Sequence, residues 1–196
     1  MVRPRYLKKG DKVAIVATAK RLNENEIDGA IREIESWGLE VICGPNLYAV
    51  YHQFAGTDEQ RASDLQWAID HEEISAVIFA RGGYGTARII DSIDWEIFQS
   101  NPKWLCGFSD LTVLHSHVNQ HLKIETLHST IPIFFKDGMA NAGSESLRKT
   151  LFGLNETMIW DAHLLNRTGT ADGEIVGGNL SAVSYTHLTL PTKRIV

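Results

Sequence analysis

Two cysteines in 196 residues, Cys43 and Cys106, leave no material for a disulfide framework or a zinc cluster. No stretch approaches the roughly 20 consecutive apolar residues of a membrane span. The opening Met-Val-Arg-Pro-Arg-Tyr-Leu-Lys-Lys-Gly has charge but not the apolar core of a signal peptide. A basic excess is missing too: 19 Lys and Arg against 24 Asp and Glu give a formal charge of −5, no electrostatic footprint for nucleic acid or an anionic membrane. These absences predict a cytoplasmic protein without nucleic-acid or membrane partners. What remains is ordinary globular material, 43% hydrophobic and 22% charged, enough for one α/β domain and part of another.

Along the chain, short apolar runs alternate with helical stripes. Val13 to Ala17 is fully apolar, as in a strand buried on both faces, and Ile27, Ala30, Ile31 and Ile34 then mark a helix that Gly38 ends. Leu39 to Cys43 reads as a second strand. Thr57 with Gln60 three residues on forms a capping-box signature, and Ala62, Leu65, Ala68 and Ile69 continue the helix it opens. Ala76 to Ala80 is a third strand, running into Arg81-Gly82-Gly83-Tyr84-Gly85 and a short helix. Trp104 begins a fourth strand and Ile124 to Leu127 is a fifth, with a last helix over Ser144 to Leu154. Repeated β-α units of this length predict a mainly parallel sheet with right-handed crossovers and helices on both faces, with ligands outside the carboxyl ends of the strands.

That rule brings together the loops at Arg81 to Gly85, Gly107 to Asp110 and His128 to Thr130, provided the last three strands are neighbours. In Gly107-Phe108-Ser109-Asp110-Leu111 an apolar run turns sharply into a helix, the setting of a nucleophile elbow, although Leu111 stands where G-x-S-x-G has its second glycine. Two readings stay open: Ser109 as a helix cap, for which serine is well suited, or Ser109 as a nucleophile. The glycines of the other loop allow close approach of backbone N–H groups to a ligand oxygen, so Gly83 and Asp110 are the candidate oxyanion donors. A plain strand-to-helix turn is the alternative. The G-x-G-x-x-G spacing of a dinucleotide site is absent. His117 and His121 are i,i+4, a spacing that can hold a metal, but no third ligand stands out and a solvated helix face is the simpler account; no metal or other cofactor is expected. His115 points away from Ser109 along its helix.

Phe54 to Leu65, Ala80 to Arg88, Pro102-Lys103 leading to Gly107 through Thr112, and Gly177-Gly178-Asn179-Leu180-Ser181 together resemble the LD-carboxypeptidase family, the serine peptidases that include muramoyl-tetrapeptide carboxypeptidases and microcin-C immunity proteins. The likeness covers roughly residues 3 to 181. It implies a flavodoxin-like or Rossmann-like amino-terminal domain carrying Ser109 as nucleophile, and a β-rich carboxyl-terminal domain supplying the glutamate and histidine of a Ser-His-Glu triad. The implied reaction is hydrolysis of the amide between an L-centre and a terminal D-amino acid of a small murein peptide. A carboxypeptidase must also hold its substrate's free carboxylate, and Arg81, Gly82 and His128 are the candidate substrate contacts.

The sequence departs from the family pattern in three places. Ala17-Thr18-Ala19-Lys20 stands where Ala-Pro-Ser is usual, and His128 is followed by Ser129 and Thr130 instead of Gly-Pro. Beyond Ser181 the family pattern stops. The organisation expected is therefore an α/β domain over 1–155, a linker over 156–172 and the start of a β-rich domain over 173–196, with 182–196 a non-native tail. Such a chain lacks the family's glutamate and histidine, so it is expected to be inactive and to dimerise or aggregate through the face meant for the second domain. The alternatives are a non-enzymatic small-molecule-binding α/β domain and, within the resemblance, a microcin-C-type immunity peptidase.

Overall fold

The computed structural model describes residues 1–135, 141–154, 157, 159 and 161–183. Five strands form one parallel sheet: β1 (Lys12–Val16), β2 (Glu40–Cys43), β3 (Ile74–Phe79), β4 (Trp104–Gly107) and β5 (Leu127–His128), in the order β2-β1-β3-β4-β5. This is the flavodoxin-like order, whose topological switch lies between β1 and β3. Among the described residues it is covered by α1 (Asp28–Ser36), α2 (Asp58–Asp70), α3 (Thr86–Ile89), α4 (Glu96–Ser100), α5 (Thr112–His117) and α6 (Ala142–Leu151). Among the described residues no helix is long and apolar enough to cross a membrane.

Why these runs become strands follows from the period-2 alternation of side chains. Val13, Ile15, Ala76, Ile78, Trp104 and Cys106 point to one face and meet Ala30 and Ile34 of α1 and Leu147 and Leu151 of α6. Ala14, Val16, Val77, Phe79 and Leu105 point to the other, against Leu65 and Ile69 of α2, Ile89, Phe98 and Leu114. All six residues of β3, the central strand, are buried. Burial in apolar surroundings also pushes the Cys106 thiol far above its ordinary pKa, so it behaves as a small hydrophobe.

The capping box at Thr57 and Gln60 forms as the spacing predicts. Pro102-Lys103 has a structural explanation: Lys103 is buried, and its Nζ donates to the carbonyls of Ala68 and His71 at the end of α2. Burial lowers its pKa to about 8.

β1, β2 and β3 lie within two residues of the bounds expected from sequence, and two later elements differ more. The fifth strand is Leu127–His128, not 124–127, because Ile124 pairs with Val2 near the chain start, where Val2 N–H donates to Lys123 O and Glu125 N–H to Val2 O. The last helix begins at Ala142 and not at Ser144, since the Asn141 side chain accepts from Gly143 and Ser144 and forms a second capping box. It ends at Leu151, and Gly153 follows in the left-handed region at φ +73°. Beyond it, the described residues of 157–183 are mostly exposed and hold no strand. Most of the tail expected over 182–196 lies outside the described residues.

Candidate functional site

With β3, β4 and β5 adjacent, the three chemistry-bearing loops stand on one rim. The elbow is sharper than the sequence pattern alone requires. β4 ends at Gly107, and Phe108 is extended. Ser109 then adopts φ +65°, in the left-handed region that costs a non-glycine residue free energy. A single 3₁₀ turn, Ser109–Leu111, leads into α5. Ser109 makes no side-chain cap bond, so the capping alternative does not describe this turn. Half-buried, its hydroxyl has no hydrogen-bond partner among the described residues. A strained serine presented at a strand-to-helix turn is the geometry of an elbow nucleophile.

Gly82 lies directly against it: a Cβ there would fall 2.9 Å from Ser109 Cβ and 3.1 Å from its Oγ. Any side chain would crowd the hydroxyl. Gly83, exposed at φ +137°, would bring a Cβ to 2.8 Å from Lys20 Cβ, in the loop after β1. Thus the loops after β1, β3 and β4 touch in sequence across the switch point. Neither Gly82, Gly83 nor Asp110 donates its backbone N–H to an acceptor among the described residues. Unpaired donors at a rim are available to an oxyanion.

The side chain of Asp110 does something the sequence did not reveal. Its buried Oδ2 accepts the Thr86 N–H at 2.9 Å, tying the serine elbow to the first residue of α3, just past the glycine loop. Beneath, Thr86 Oγ1 and Thr18 Oγ1 share a buried hydrogen bond of 2.8 Å. Arg61 is fully buried in α2. Its Nη1 donates to Thr18 O at 2.7 Å and its Nη2 to Asp58, and its guanidinium lies 4.7 Å from the Phe54 ring centroid. Gly85 follows from this, because a Cβ there would collide with Arg61 Nη1. Arg88 closes the cluster by donating from Nε and Nη2 to Asp58, which holds that carboxyl below its ordinary pKa, and it stands 5.5 Å from the same ring. Arg61 falls inside a stretch that resembles the family, yet neither its burial nor its reach to Thr18 has a sequence signal.

The other candidates divide. Arg81 spends Nη1 on Glu26 at 3.3 Å and on Arg21 O at 3.1 Å, so an internal carboxylate competes with any ligand for its charge. His128 is exposed at the end of β5, its ring 6.0 Å from that of Phe108, on the rim where it was expected. His115, by contrast, is 4% exposed. Its Nε2 lies 2.9 Å from Gly107 O, and a carbonyl only accepts, so Nε2 carries the proton and Nδ1 the lone pair. Burial above all lowers its pKa to about 4. It is a neutral packing histidine and not a base for Ser109. His117 and His121 face each other with ring centroids 4.8 Å apart, yet no group of three metal-type side chains converges among the described residues.

Comparison with known proteins agrees with this fold. The model of the LD-carboxypeptidase N-terminal domain matches residues 13–129. The probable murein peptide carboxypeptidase of Bacillus subtilis (strain 168) is 33% identical over 192 residues, which are 94% of this chain and 59% of that protein. The murein tetrapeptide carboxypeptidase of Pseudomonas aeruginosa is 30% identical over 88% of this chain and 59% of its own length. Among solved structures, a mutant of the microcin C7 self immunity protein MccF in complex with adenosine monophosphate superposes with a TM-score of 0.78 at 16% identity, over 94% of this chain and 65% of that one, a likeness of fold. The chain thus spans about three fifths of the length of these two relatives. With the elbow, the glycine loop and the flavodoxin-like sheet in place, the match over residues 13–129 means that the chain belongs to the LD-carboxypeptidase family.

Proposed function

We propose that this chain carries the nucleophile of a cytoplasmic serine carboxypeptidase that removes a terminal D-amino acid from murein tetrapeptide, a reaction of peptidoglycan recycling. The observation that carries the reading is Ser109 at φ +65° with Gly82 packed against its hydroxyl. Strain of about 1–3 kcal/mol is kept where chemistry needs it.

In this mechanism a histidine takes the proton from Ser109 Oγ as the oxygen attacks the carbonyl between the L-centre and the terminal D-residue. The N–H groups of Asp110 and Gly83 receive the oxyanion. Each such donor is typically worth roughly 10²–10³ in rate. The C–N bond then breaks, the leaving amine takes the proton back from the histidine, and water releases the acyl group from Ser109. His115 is not that base: its Nε2–H donates to Gly107 O, its Nδ1 lone pair is buried with no hydrogen bond to Ser109, and burial keeps the ring a weak proton acceptor. The family resemblance assigns the base to a histidine, oriented by a glutamate, of a carboxyl-terminal β-rich domain. His128 sits on the substrate side of the rim, and Gly82 keeps the approach to the serine open.

A crystal structure with a peptide boronate whose boronic acid replaces the scissile carbonyl tests the oxyanion assignment. The expected adduct is boron bonded to Ser109 Oγ, with one oxygen within about 3.2 Å of the Asp110 and Gly83 or Gly82 nitrogens. An adduct oxygen facing only solvent rejects it.

A further inference from the structure

A carboxypeptidase reads the free carboxylate of its substrate, and the distance at which it must do so is short. In C(=O)–N–Cα–COO⁻ the carboxylate carbon is three bonds from the carbon attacked. Its cation must therefore stand on a loop adjoining the serine. Arg81 is in the right loop, but Glu26 and the Arg21 carbonyl already take its Nη1. Arg61 is buried under the loop and engaged with Thr18 and Asp58. Arg88 is bound to Asp58 through Nε and Nη2. Each of these positive charges has an internal carboxylate.

Lys20 does not. It lies in the loop after β1, at the switch point, exposed, with no ion-pair partner among the described residues. Its backbone is held by a bridge to Phe54, and its Cβ sits where a side chain on Gly83 would be, at 2.8 Å. Gly83 in turn adjoins Gly82, which touches Ser109. Lys20, glycine loop and serine are therefore consecutive neighbours, and the flexible four-carbon stem of a lysine spans one such step.

We propose that Lys20 is the cation that binds the terminal carboxylate of the substrate, and so the residue that restricts this chain to peptides with a free carboxyl end. The proposal rests on the carboxypeptidase reading above and names the contact that reading needs.

The test is isothermal titration with L-Ala-D-Glu-diaminopimelate-D-Ala and with the same peptide ending in a carboxamide, Ser109→Ala being present in every protein so that the peptide stays intact. With Lys20 in place, the acid should bind about tenfold more tightly than the amide, the scale of one charge-assisted hydrogen bond. Lys20→Met should bring that ratio close to one through loss of acid affinity alone, Lys20→Arg should restore most of it, and Arg81→Met should leave it unchanged. A ratio that survives Lys20→Met while both peptides still bind, or that follows Arg81 instead, overturns the Lys20 assignment and leaves the carboxypeptidase reading standing. Failure of the unaltered Lys20 protein to bind either peptide overturns the murein-peptide reading, and the assignment with it.

Discussion

At the amino edge of the sheet, Asp11 accepts two bonds from Arg5 and one from the Lys8 N–H, Arg5 reaches Ser75, Lys12 pairs with Glu73, and the Trp104 indole donates to Arg5 O. Lys103 closes the end of α2 at the same edge. At the carboxyl edge the pattern reverses: Ser109 has strained backbone, and among the described residues its hydroxyl is unpartnered, the N–H groups of Gly82, Gly83 and Asp110 are unspent, and Lys20 has no carboxylate. One edge satisfies its polar groups and the other holds them open. Below that open surface the support is tightly bonded, through Asp110 to Thr86, Thr86 to Thr18 and Thr18 to Arg61. Free donors on a rigid base are what a preorganised site requires, because donors that had to be reoriented during the reaction would contribute less.

The largest stability effect should come from a group between the two edges. His115 is buried neutral, with its pKa lowered from 6.5 to about 4. Between those values the unfolded chain binds the proton and the folded chain does not, so stability is full above pH 6.5, falls as pH drops from 6.5 to about 4, and loses nothing further below that, where both states are protonated. The full shift corresponds to about 3 kcal/mol. Urea unfolding at pH 7 and pH 4 should show that loss, and His115→Gln, whose amide can still donate to Gly107 O, should flatten it. An unchanged pH profile in His115→Gln would remove His115 as the cause.

Breaking the closed edge should be next. Asp11→Ala removes the acceptor of three bonds but leaves Arg5, which keeps Ser75, and the Lys8 N–H open to water, with an expected cost of about 1 kcal/mol in urea unfolding and no effect on peptide binding at the opposite edge. Burial by itself raises the Asp11 carboxyl, but the Arg5 and Lys8 bonds outweigh it and hold the group below its ordinary pKa. The interaction is therefore present at neutral pH and fades only in acid. A change in peptide affinity matching the change in stability would mean that the two edges are not separate.

The parallel sheet was readable because β1, β3 and β4 are short buried runs with helical stripes between them, and no other fold class hides such runs on both faces. Ser109 was readable as the residue at a strand-to-helix turn, and the glycine loop as its neighbour once β3 and β4 were taken as adjacent. Its φ was not, since positive φ at serine is imposed by the surrounding fold and has no local signature. Nor could sequence show that Arg61 is buried or that the Asp110 carboxylate caps Thr86, because each contact joins residues brought together only by the crossovers. The misplaced fifth strand has the same origin: Ile124 is apolar enough for a strand, and Val2, some 120 residues earlier, claims it.

The contrast between the edges reduces to one residue that should gain stability when its function is removed. Ser109→Gly takes the φ +65° position without strain, and the chain should become more stable by about 1 kcal/mol in urea unfolding. The same substitution in a form that also carries the family's carboxyl-terminal domain should end release of D-alanine from murein tetrapeptide. Greater stability with lost turnover is the predicted result. Retained turnover, with or without a change in stability, would contradict the assignment of Ser109 as nucleophile.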